Sequence, residues 1–150
     1  MSDRDHLATL LTALDASPRA LRREPLDARN KDRTEATDYA IFGTSGHVYA
    51  DGDGFMLYVR TGDAHHDGSP RRWGFIKKRL AFCHLTQDGD DEGCLRLDRL
   101  PTPIEAERVR EAIGIRKRRH LSPEALAAAR LNLERSSAAI KGGFRPPGFV

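Results

Sequence analysis

The sequence predicts an α+β fold, a small antiparallel sheet packed by helices in the order α-βββ-α-ββ-α-α. Three observations point there. Glycine-bearing turn sequences (GTSG, DGDG, DGDDEG) separate short apolar runs, as in hairpins. Apolar residues at helical spacing follow serine or threonine caps at Ser2, Ser69, Thr102 and Ser122. The strand-like runs come in consecutive groups rather than alternating with helices, which favours antiparallel pairing. A chain of 150 residues can bury one core. A single domain is expected over 1–141, followed by a Gly/Pro-rich tail over 142–150.

Taken in order, Leu7, Leu10, Leu11 and Leu14 mark an amphipathic helix after Ser2 and Asp5, and Ser17-Pro18 ends it. Residues 22–38 are polar and aperiodic, the composition of a mobile loop. Tyr39–Phe42, His47–Ala50 and Phe55–Val59 follow as three strands. Ser69-Pro70 opens a helix over 70–81, in which Trp73, Ile76 and Leu80 share a face. Phe82–Gln87 and Cys94–Leu100 form a hairpin around the acidic turn. Thr102-Pro103-Ile104-Glu105 combines a capping box with proline at the first helical position, and Gly114 supplies a left-handed stop. An alanine-rich helix from Ser122 to about Ser136 completes the order.

No apolar run approaches the roughly 18 to 20 residues of a membrane span. The N-terminus interleaves its leucines with polar residues and carries three aspartates, unlike a signal peptide. A cytoplasmic protein without membrane contact is expected. Two cysteines, Cys83 and Cys94, make no disulfide framework, and without CxxC spacing they make no structural zinc site unless histidines complete it. The net charge of +3 is unevenly spread: residues 1–70 hold 8 Lys/Arg against 12 Asp/Glu, and residues 71–150 hold 17 against 10. One part of the surface can therefore carry a positive field.

The basic residues are the leading functional candidates. Arg71, Arg72, Lys77, Lys78 and Arg79 cluster on the second helix, and Arg116, Lys117, Arg118 and Arg119 run together before the last one. Guanidinium and ammonium groups on one face gain affinity for phosphates by counterion release. The competing account is a salt-bridged surface with Glu105, Glu107 and Glu111.

The acidic knot 88-DGDDEGCL-95 offers a second chemistry. Asp88, Asp90 and Glu92 match the first three side-chain ligands of a calcium loop, with Gly93 and Leu95 at its glycine and apolar positions. Arg99 stands where the closing glutamate belongs, and the flanks read as strands, so a hairpin turn is expected and no metal. A composite site with Asp51 and Asp53 would suit a metal-dependent hydrolase. His65 and His66, flanked by Asp63 and Asp67, read as a solvated loop, and His84 cannot serve Cys83 because neighbouring strand residues point apart. No nucleophile elbow, P-loop, dinucleotide fingerprint or zinc-protease motif occurs. No catalytic residue and no cofactor are expected. In the tail, Phe144 and Phe149 could anchor docking into a partner groove.

The run WGFIKKRLAFCHLTQDGDDEGCLRLDRLPTPIEAERVREAIGIRKRR, from Trp73 to Arg119, is similar to a segment of short bacterial proteins to which no activity is attached. ADGDGFMLYV and SPRRWGF resemble, in order, the arm-type DNA-binding domain of phage-type tyrosine recombinases, in which a DG-apolar strand precedes a basic, tryptophan-containing one. That resemblance implies DNA binding; it also implies a strand where the periodicity predicts a helix. The expected function is that of a small non-enzymatic, nucleic-acid-associated protein, regulatory or from a mobile element. The alternatives are a protein-interaction module, using the basic helix on an acidic partner or the tail, and the hydrolase.

Overall fold

The computed structural model describes residues 2–23 and 38–141. The fold is α+β, with a six-stranded antiparallel sheet in the order β1-β2-β3-β4-β6-β5. Its strands are β1 (Leu21–Arg23), β2 (Tyr39–Gly43), β3 (Gly46–Asp51), β4 (Gly54–Arg60), β5 (His84–Asp88) and β6 (Glu92–Leu97). The helices are α1 (Asp3–Ala13), α2 (Pro70–Arg79), α3 (Pro103–Ile113) and α4 (Pro123–Lys141), with a 3-10 turn over Pro18–Ala20. The chain divides into two compact units, Met1–Arg118 and Arg119–Val150. No helix among the described residues is long and apolar enough to cross a membrane.

Alternation along the strands sorts the sheet into a dry face and a wet one. Ile41, Val48, Leu57 and Leu95 lie side by side in register and are buried. Leu7, Leu10 and Leu14 of α1 and Ala106, Val109 and Ile113 of α3 complete this core. Both helices start on the capping boxes expected of their sequences. In α2 the predicted stripe of Trp73, Ile76 and Leu80 is buried, so residues 70–79 are helical where the recombinase-arm order implies a strand.

Gly93 makes the seat for Trp73: a Cβ there would meet the indole at 2.4 Å and the Gln87 carbonyl at 2.3 Å. The indole N–H, buried with its ring, donates to Asp88 Oδ1 at 2.8 Å.

Three elements differ from the sequence expectation. Leu21–Arg23, assigned partly to the loop over 22–38, pairs as an edge strand with Tyr39–Ile41, a partner 18 positions away that local periodicity cannot reveal. The remainder of that loop and the tail, including Phe144 and Phe149, lie outside the described residues. The hairpin strands are displaced, beginning at His84 and Glu92, so the acidic turn is shorter than its composition suggests. The last helix reaches Lys141 rather than Ser136. In the second unit, Ser122 Oγ accepts from the Ala125 N–H at the start of α4, and the side chains from Pro123 to Ser137 are exposed.

Candidate functional site

One end of the first unit is built around a short clamp. The β2–β3 turn presses onto the C-terminus of α3, where Thr44 and Ser45 N–H groups donate to the carbonyls of Gly114 (3.2 Å) and Ile113 (2.8 Å). This approach requires glycine on both sides. A Cβ on Gly43 would meet the Ile113 carbonyl oxygen at 2.3 Å; Gly114, at φ +74°, would meet Thr44 Oγ1 at 2.0 Å. Beyond Gly114 the chain runs against the loop after α1. Ser17 N–H donates to the Arg116 carbonyl at 2.8 Å, Arg118 N–H donates to the Asp15 carbonyl at 2.7 Å, and Lys117 bridges to Ala16.

The clamp gathers cations from three stretches of the sequence. Arg19 on the 3-10 turn, Arg22 on β1, Arg60 at the end of β4 and Arg116 after α3 line one open cleft together with Phe42 and Thr44. No carboxylate lines it. Among the described residues, none of the four guanidinium groups is in an ion pair. Glu92 faces Arg60 across the β4–β6 register, but its Oε2 accepts from the Tyr58 hydroxyl at 2.7 Å. That bond is the main reason the Tyr58 phenol is pushed up to about 12, with desolvation second. Arg22 lies over the Phe42 ring at 4.9 Å. Each arginine presents a planar fork of donors and no acceptor, the geometry that takes phosphate oxygens in pairs.

Of the sequence candidates, only Arg116 belongs to this cleft. Lys117 and Arg118 are exposed beside it, and Arg119 begins the second unit. On α2, Lys77 pairs with Asp88 at 3.0 Å and Arg79 with Glu111 at 3.0 Å, as the salt-bridged alternative expects. Arg71, Arg72 and Lys78 are exposed. Arg72 and Arg79 line a different groove, with Arg108 and the 60% exposed Phe75. Arg19 and Arg22 lie in the short cluster 19-RALRR-23, which sequence reading divides between a helix end and a loop, and Arg60 stands outside any basic run; strand pairing brings that cluster to Arg60.

The acidic candidates are engaged elsewhere. Asp88 accepts from Lys77 and from Trp73, and those bonds, the Lys77 one first, hold its carboxyl below the usual range. Asp90 is exposed, Glu92 serves Tyr58, and Arg99 makes a two-pronged pair with Glu105 (2.6 and 2.8 Å). Asp51 pairs with Arg96. The composite metal site with Asp51 and Asp53 fails on register. Phe55 lies opposite Leu97 and Arg60 opposite Glu92, so the two acidic turns flank opposite ends of β4 and β6, separated by roughly 17 Å of strand. Among the described residues no three His, Cys, Asp or Glu side chains come together as a metal group.

The histidines and cysteines are similarly placed in structural roles. Asp63 accepts from the N–H groups of His65 and His66 at 2.7 Å each, closing that loop on itself. His84 meets Asp98 at 3.0 Å. Cys83 and Cys94 are free; burial pushes the Cys83 thiol up to about 12, so it is no nucleophile at neutral pH.

No protein family, curated protein or solved structure matches this chain, so the geometry of the site carries its interpretation alone.

Proposed function

We propose that the protein binds the phosphate backbone of nucleic acid through the Arg19–Arg22–Arg60–Arg116 cleft, as a non-enzymatic nucleic-acid-associated protein. The observation that carries this reading is the convergence of four guanidinium groups, from three stretches of the chain, on one cleft without a lining carboxylate. Gathering four like charges costs free energy in the unliganded protein, and a polyanion offsets that cost while releasing its condensed counterions. An ordinary surface would disperse such charges among carboxylates, as α2 does with Lys77 and Arg79. The exposed Lys117 and Arg118 extend the positive field along the rim.

The test is a titration of labelled oligonucleotides at two salt concentrations. Affinity should fall steeply with salt, and Arg19→Ser, Arg60→Ser and Arg116→Ser should each weaken binding on every base sequence alike. Absence of binding at low salt contradicts the reading.

A second reading is favoured by Phe75, a large apolar side chain exposed in a groove with Arg72, Arg108 and the Arg79–Glu111 pair. Such a groove suits an acidic protein segment with an apolar anchor. Phe75→Ser would then abolish capture of that partner while oligonucleotide affinity stays unchanged.

A further inference from the structure

The wet face of the sheet carries rings where an exposed antiparallel face ordinarily carries polar side chains. Phe42, His47 and Tyr58 stand directly opposite one another in register across β2, β3 and β4. The ring centroids are 5.9 Å apart for Phe42–His47 and 5.2 Å for His47–Tyr58, and Tyr49 joins the row at 6.1 Å from His47. None of the four is buried, and Tyr49 is 38% exposed. The row is continuous with the cleft because Phe42 belongs to both.

Charge around the row is mixed: Asp3 and Asp38 line the pocket that Phe42, His47 and Tyr49 share, and Glu92 is bonded to Tyr58, while the arginines gather at the cleft. Arg22 and Arg60 project on the same wet face at its cleft end. Toward the opposite end of the strands, Arg96 is held by Asp51 and Asp98. A ligand that follows both features therefore has negative charge at the cleft and flat apolar surface along the rings. Duplex nucleic acid presents phosphates but keeps its base faces stacked inside; only an unpaired strand offers both.

We infer that the partner is single-stranded nucleic acid, its phosphates in the four-arginine cleft and its bases stacked on Phe42, His47, Tyr58 and Tyr49. This rests on the phosphate-binding reading of the cleft and adds the strandedness of the ligand. The bond from the Tyr58 hydroxyl to Glu92 fixes that ring's orientation before a base arrives. Recognition by stacking is tolerant of base sequence, since every base has a π-face.

The experiment compares labelled single-stranded DNA, single-stranded RNA and a blunt DNA duplex of the same sequence at low salt, using the full chain. The single strands should bind about tenfold or more tightly than the duplex, and Phe42→Leu and Tyr49→Ala should each weaken single-strand binding about tenfold while leaving the salt slope unchanged. Tyr49→Phe, which keeps the ring, should bind as wild type, and unchanged melting temperatures identify the variants as folded. A difference between the DNA and RNA arms assigns the sugar. Equal affinity for strand and duplex, or folded ring variants that bind normally, overturns this inference and leaves the cleft reading standing. Absence of binding by every oligonucleotide at low salt overturns both.

Discussion

Asp88 illustrates how one side chain can carry a different role from the one its neighbours suggest. In the acidic knot it occupies a calcium-ligand position, yet it satisfies the buried Trp73 N–H and pairs with Lys77. Asp88→Ala should lower the melting temperature and alter the fluorescence of this single tryptophan, whereas Asp90→Ala, at an exposed position, should do neither. Arg99 follows the same pattern. It stands where a calcium loop needs its closing carboxylate because it serves Glu105 instead. Half of this was readable in sequence: the misplaced Arg99 already excluded a complete loop. The indole partner was not, since Trp73 and Asp88 meet only when α2 packs on the hairpin.

At the scale of elements, α3 is held at both ends. Its first turn joins Thr102, Glu105 and Arg99, and those contacts, the Arg99 bond first, hold the Glu105 carboxyl down at about 2 against an ordinary 4.5. A carboxylate with a depressed folded value contributes stability that is complete above its unfolded value and lost as pH falls toward the folded one. Stability should therefore drop between about pH 4.5 and pH 2, and Glu105→Gln should flatten that part of the acid-unfolding profile. The other end of α3 is the clamp. Gly114→Ala, forced to positive φ against Thr44, should cost on the order of 1–3 kcal/mol in denaturant unfolding and loosen the cleft with it. The cap at Gly114 was visible in sequence because left-handed helix stops favour glycine. Its second task, admitting the β2–β3 turn, was not visible, since that contact spans about 70 residues of chain.

For the whole molecule, periodicity revealed the fold class and most elements because helices and strands are local, and the dry-face residues alternate as a half-wet sheet requires. The exceptions are instructive. β1 was missed because three residues cannot display a period, and its partner lies across an intervening loop. The cleft was missed for a related reason: the run 116–119 is conspicuous in sequence and the cluster 19-RALRR-23 is a smaller one, but that these two and the isolated Arg60 share a cleft is visible only after the sheet has formed. The aromatic row was hidden inside strands read only as short runs between turns, although Phe42, His47, Tyr49 and Tyr58 form the wet half of their alternation.

The most direct test sets the two basic regions against each other. Salt dependence of oligonucleotide binding should be measured for wild type, for an Arg19→Ser/Arg60→Ser/Arg116→Ser variant and for an Arg71→Ser/Arg72→Ser/Lys78→Ser variant of equal charge change. If the cleft is the phosphate contact, the slope of log affinity against log salt falls by about one for each cleft arginine removed, and the α2 variant keeps the wild-type slope. An undiminished slope in the cleft variant, with the loss appearing in the α2 variant instead, would contradict the account.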